Sequence, residues 1–256
     1  MPNKPMQPAG PKRPAADGQR RWAHVEGGWC MDRQQSPFPC HWWGVGLEVA
    51  GLADERPDVG TYGRYAFESL PRLPFPMNKD FAWLRRASPH RQSIAVEKRD
   101  RNTLALPALV DACRLLGISL PTEFSAFMQE AALQERIRSS TDCFLDLCTA
   151  PVVSPVGDGY LIRFLADSQG CVYWYLFLNR DGSDHAVVSS VGFYGTADES
   201  WQDDEPDPAD IVFSGESFEV FMARFWIENE IWHAASDGTP MPEGGDQYVA
   251  GYRRKT

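Results

Sequence analysis

The chain has 256 residues, 43% of them hydrophobic, with a formal net charge of −10 and a pI of about 5.0. Those values allow one large domain, or one domain with a substantial extension, around a real core. They argue against nucleic acid or an anionic membrane surface as the main partner, because both need clustered lysine and arginine, and they suit a basic protein partner.

Residues 1–21 carry Pro2, Pro5, Pro8, Pro11 and Pro14 with five basic residues. That composition cannot build a core and predicts a draped or disordered arm. The start has no apolar signal region, and the longest strongly apolar stretch, 171–178, is too short to span a bilayer, so the expected location is the cytoplasm. Residues 22–102 form a second segment, rich in aromatics (Trp22, Trp29, Trp42, Trp43 and Trp83) and broken by glycine and proline, as in Leu73-Pro74-Phe75-Pro76. This texture predicts an irregular extension held by its aromatics against the rest, with short strands at 43–49 and 65–70.

Residues 103–252 read as an α+β domain. Helices are expected near 108–116, 122–133 and 217–234. Pro107 is assigned to the first turn of the first helix, where a missing N–H costs nothing. Leu109, Val110, Cys113 and Leu116 follow as one apolar stripe, and Gly117 sits where a C-terminal cap would. The second helix starts at Leu120-Pro121 and repeats Phe124, Phe127, Met128 and Ala131. Strands are expected at 143–147, 160–165, 171–178 and 185–191. The third is apolar on both faces, the mark of a central strand. Short turns at 167–170 and 179–182 make the sheet mainly antiparallel. Between Thr196 and Glu219 stand nine acidic residues and no basic one, which predicts an exposed loop. In the last helix Phe218, Phe221, Met222, Phe225 and Trp232 fall along one side, and Arg224 and Glu228 have pairing distance at i,i+4.

Three stretches in this order carry a resemblance: Leu116-Gly117-Ile118-Ser119-Leu120-Pro121-Thr122-Glu123-Phe124 followed by Phe127; Tyr160 to Gly170 running into an aromatic strand with Trp174; and Ser217-Phe218-Glu219-Val220-Phe221 opening the last helix. Together they resemble the SUKH superfamily (the Smi-one/Knr-four-like proteins) over residues 103–252. One departure is Val220, which replaces the acidic residue that would complete a capping box with Ser217. The resemblance implies an antiparallel sheet flanked by helices and a non-catalytic protein-binding role, such as immunity against a toxin. It implies no catalytic residue.

No phosphate loop, dinucleotide fingerprint, zinc-protease helix, calcium loop or nucleophile elbow is present. His24-Val25-Glu26 with Pro39-Cys40 approaches a zinc-deaminase pattern, but Trp43 stands where its second cysteine would be. Cys30, Cys40 and His41 match no metal spacing, and Cys143 and Cys148 are expected to face opposite sides of a strand. No catalytic residue, metal site or cofactor is therefore assigned. Glu228 and Glu230, two apart on a helix, are expected at the surface with one buried contact. Trp174, Tyr175, Trp226 and Trp232 are candidates for lining a pocket, with core packing the commoner fate of such residues. The candidate partner-binding residues are Trp201, Asp203, Asp204, Glu205 and Asp207. Here an aromatic anchor stands among acids that would steer a basic toxin. Two alternatives stay open: a small-molecule binder or enzyme with its site in residues 22–102, and a regulatory or assembly partner.

Overall fold

The structure, a computed structural model, describes residues 37–196 and 206–254. The arm at 1–21 and the residues Trp201, Asp203, Asp204 and Glu205 lie outside that range. The elements run β1 (His41–Gly44), β2 (Gly63–Ala66), α1 (Arg99–Leu115), α2 (Thr122–Gln129), α3 (Ala131–Gln134), β3 (Phe144–Leu145), β4 (Val152–Val153), β5 (Gly159–Ala166), β6 (Tyr173–Asn179), β7 (His185–Ser190), β8 (Val212–Gly215), α4 (Phe218–Asp237) and α5 (Gly245–Arg253). The fold is α+β, and every pairing between these strands is antiparallel.

The main sheet has the order β3-β5-β6-β7-β8, with β4 also on β5. Its two tight turns are written locally. Asp167 Oδ2 accepts from the N–H groups of Gln169 (2.9 Å) and Cys171 (3.1 Å), and Gly170 takes a φ of 72°, which glycine adopts without steric cost. Asn179 Oδ1 accepts from the Asp184 N–H at 3.0 Å across the next turn. β6 is buried on both faces. Trp174, Leu176 and Leu178 join the core beneath the helices, while Tyr173, Tyr175 and Phe177 pack on the opposite face with Phe38, Phe193 and Phe213. A bulge between Arg163 and Leu165 leaves Phe164 free to meet Phe124, Phe218 and Phe221. At the β8 edge the Phe213 N–H donates to the Pro39 carbonyl at 2.8 Å, so the chain itself caps part of an edge that would otherwise offer unpaired backbone groups.

α4 is the central helix. Ser217 caps it by accepting from the Val220 N–H at 3.3 Å, and Gly238, at φ 63°, ends it. Nearly every side chain from Phe218 to Ile231 is buried, including Glu219, Arg224, Glu228, Asn229 and Glu230. The one-sided helix expected from the spacing of its aromatics is therefore enclosed all round. Residues 37–102 supply much of that enclosure. Trp42, Leu47, Leu52, Phe81, Trp83 and Leu84 share one hydrophobic core with Phe218, Phe221 and Trp226.

Buried carboxylates do the joining. Glu228 Oε2 accepts from Trp42 Nε1 (2.7 Å) and Arg56 Nη2 (2.9 Å), and its Oε1 accepts from Arg56 Nη1 (2.6 Å) and the Tyr248 hydroxyl (2.8 Å). The Tyr248 oxygen in turn accepts from Arg224 at 2.8 Å, so the i,i+4 pair is joined through a third residue. Glu219 accepts from the backbone N–H groups of Lys79 (2.5 Å) and Phe81 (2.8 Å) and from Trp83 Nε1 (3.2 Å). Elsewhere Asp146 receives Arg163, Lys98 and Arg101 at 3.0, 3.1 and 3.3 Å.

Several expectations are corrected. α1 begins at Arg99, so Pro107 lies inside the helix, not in its first turn. Only Leu109 and Cys113 of the expected stripe are buried, while Val110 and Leu116 are exposed. The expected strands at 43–49 and 65–70 are displaced, to β1 and β2, and each is followed by a single turn of 3₁₀ helix. The stretch expected to be an exposed loop between Thr196 and Glu219 contains β8, whose four residues, Val212 to Gly215, are all buried and pair with β7. Glu228 and Glu230 are both buried, because cations and hydroxyls from distant segments meet them. α5 was not anticipated at all.

These carboxylates set an acid limit to stability. Burial alone would raise the carboxyl groups of Asp146, Glu228 and Glu230. The Arg163, Lys98 and Arg101 cations at Asp146, the Arg56 guanidinium at Glu228, and His90 and Arg138 at Glu230 outweigh it and hold all three below the ordinary range. A carboxylate lowered in the folded state stabilises fully above its unfolded value of about 4 and loses that contribution as pH falls through the folded value. Urea midpoints are therefore expected to stay level from neutral pH to about 5 and to fall steeply below about 4.

Candidate functional site

The arrangement around Glu219 and Glu230 also shapes a cleft of about 570 Å³, within the range of ligand pockets. One wall comes from residues 74–90, one from α4 through Trp226 and Glu230, and one from residues 242–247 leading into α5. The first wall holds its shape because Glu219 gathers the loop at Lys79, Phe81 and Trp83. Lys79 and Phe81 both take left-handed backbone (φ 63° and 55°), which non-glycine residues adopt only when their surroundings enforce it. The third wall closes in because Gly244, at φ 78°, has no side chain, and a Cβ there would lie 2.4 Å from Pro74 Cγ.

Three aromatic rings form the apolar lining. Phe75 stacks on Trp83 with ring centroids 5.3 Å apart and planes 11° apart, and Trp226 leans against both at 5.9 and 5.4 Å. Pro74, Pro76 and Pro242 extend this surface. Trp226 is 5% exposed, and its Nε1–H has no hydrogen-bond partner among the described residues. A buried indole donor without an acceptor costs free energy.

Glu230 provides the polar end of the cleft. Arg138 grips it with both ends of its fork, Nε to Oε1 at 3.0 Å and Nη2 to Oε2 at 2.9 Å, and His90 Nε2 stands 3.0 Å from Oε1. Three of its acceptor positions are thus taken from within the chain, which makes the carboxylate a fixed strut. Arg86 and Glu243, 3.4 Å apart and well exposed, flank the opening. Ser88 is the one hydroxyl in the lining, and Gln247 the one amide.

Of the residues expected to line a pocket, Trp226 does so. Trp174 and Tyr175 are buried on opposite faces of β6, and Trp232 is partly buried beside His233. Among the expected partner-binding residues only Asp207 lies in the described range. It is exposed, and its carboxylate accepts from the Ala209 N–H at 2.9 Å, which starts a 3₁₀ turn. Cys40 is half-buried and His41 opens β1, where burial and then Arg64 push its imidazole down; Cys30 lies outside the described residues. Burial pushes the Cys113 and Cys143 thiols up to about 11, so both stay protonated at neutral pH. Among the described residues no group of three or more His, Cys, Asp or Glu is arranged to hold a metal ion, and no helix is long and apolar enough to cross a membrane.

The sequence alone did not single out Phe75, Trp83, His90, Arg138 or Gln247. One signal was present: an aromatic residue between two prolines, Pro74-Phe75-Pro76, displays its ring from a stiff, extended backbone. Compared with known proteins, the chain matches no family model, no curated protein and no solved structure.

Proposed function

We propose that this protein is a non-catalytic protein-binding module, with the cleft between residues 74–90, α4 and residues 242–247 as its recognition surface. The observation that carries the reading is the Phe75–Trp83–Trp226 lining with its unpartnered indole N–H. Buried aromatics beside a polar group are the usual anchors of protein interfaces. The polar residues of the cleft fit binding better than turnover, because Glu230 is held by Arg138 and His90. The SUKH-like motifs at 116–127, 160–174 and 217–221 support the same reading, and with it a cytoplasmic immunity-type role against a basic toxin. In that case the acidic segment around Trp201, Asp203, Asp204, Glu205 and Asp207 would add electrostatic steering.

A second reading has one observation in its favour. The cleft is lined largely by residues of the 22–102 extension, so a small molecule is the competing occupant. A photo-crosslinking residue in place of the exposed Gln247 separates the two. Illumination in native host extract is expected to give one protein adduct at position 247, weakened about tenfold or more in a Trp226→Phe background. A small-molecule adduct, or no selective adduct to any protein segment, this chain's own included, counts against the protein-binding reading.

A further inference from the structure

Pro2, Pro5, Pro8, Pro11 and Pro14 recur at every third residue. A polyproline II helix has three residues per turn, so in that conformation this spacing would set all five rings along one edge. Such a helix makes no internal hydrogen bonds, and its carbonyls remain free to accept. Its five prolines carry carbonyls without a competing N–H of their own, while the residues between them keep theirs. Aromatic-lined grooves are the surfaces that take such segments, since flat rings pack against proline rings at little entropic cost.

The cleft offers the matching chemistry. Phe75, Trp83 and Trp226 supply the rings, and the buried Trp226 Nε1–H has no acceptor among the described residues. We propose that the cleft is a docking site for a polyproline II segment, and that residues 2–14 of this chain are its occupant. The proposal rests on reading the cleft as a protein-recognition surface.

Reach allows the chain's own arm to occupy the cleft, and the overall charge balance does not oppose it. Lys4, Lys12, Arg13, Arg20 and Arg21 stand against Asp17 alone, on a chain whose formal net charge is −10. Residues 15–36 link the segment to Pro37, and at ~3.3 Å per residue they can span on the order of 70 Å, more than any distance within a domain of this size. An arm docked in this way would compete with any partner that uses the same cleft.

The test uses the full-length chain carrying Pro5→Ala, Pro8→Ala and Pro11→Ala, so that its own arm no longer presents the repeat. A synthetic peptide of residues 1–16 is titrated against it by calorimetry, beside a peptide of the same composition scrambled to remove the three-residue period. The native peptide is expected to bind at least about tenfold more tightly than the scrambled one. Adding Trp226→Phe should weaken it about tenfold under conditions where the variant is still folded, as its denaturation curve checks. The unsubstituted chain should bind the added peptide more weakly, because its own arm competes. Equal binding of both peptides, or equal binding by the unsubstituted and arm-substituted chains, overturns the proposal. A protein adduct at position 247 in host extract without peptide binding removes the arm as occupant and leaves the cleft as a recognition surface. Absence of both removes the cleft reading itself.

Discussion

Glu228→Gln is expected to cost about 3–5 kcal/mol of folding stability, the largest effect of any single substitution considered for this protein. Glu228 is 1% exposed and Arg56 0%, so the guanidinium has no water to turn to when its counter-ion is neutralised. Trp42 Nε1, Tyr248 and Tyr252 lean on the same carboxylate, and an amide can satisfy only some of these donors. For a chain of this size such a loss lowers the melting temperature by roughly 6–20 °C. Replacing both partners, as Glu228→Leu with Arg56→Met, should recover part of the loss, because Arg56 is then no longer left as a buried charge without its counter-ion, while Arg224 keeps its own. Thermal and urea unfolding of the two single variants and the double variant measures this. A loss under about 1 kcal/mol in Glu228→Gln would mean that water reaches the pair and that it does not clamp the extension to α4.

Glu219→Ala should cost about 3 kcal/mol and also open the cleft. It removes the acceptor for three donors at once, two of them backbone N–H groups at left-handed residues. Lys79 and Phe81 would then relax towards ordinary backbone, and Trp83 would leave its stack on Phe75. The effect on stability and the effect on recognition should therefore appear together, with partner or peptide binding reduced more than tenfold even at temperatures where the variant is folded. Ser217→Ala is the contrasting control. It removes the cap of the same helix, at a cost of about 1 kcal/mol, without touching the 79–83 loop. If Glu219→Ala kept full binding, the loop would owe its shape to the packing of Phe81 against Phe127 and Phe218 alone.

Legibility in the sequence followed how local each interaction is. The strands at 160–165, 171–178 and 185–191 and the turns between them were readable, because side-chain alternation, Asp167, Gly170 and Asn179 act within a few residues of themselves. α2 and α4 were readable from the spacing of their phenylalanines. The start of α1 was not, because Pro107 is a strong local signal for a helix start and the helix runs through it. β8 was hidden among acidic neighbours whose charge dominates the stretch.

The sequence by itself determined the α+β class, the antiparallel hairpins, the central β6 and the aromatic character of the extension. All of these follow from patterns with a short period. Only the tertiary structure decided what α4's polar residues do. Glu228 meets Arg56 across 172 positions, Glu219 meets Phe81 across 138, and Glu230 meets Arg138 across 92. A carboxylate on a helix looks the same in sequence whether water or a buried guanidinium will face it. The partner is chosen by how the chain returns on itself, and the cleft exists only where those returns bring Phe75, Trp83 and Trp226 together.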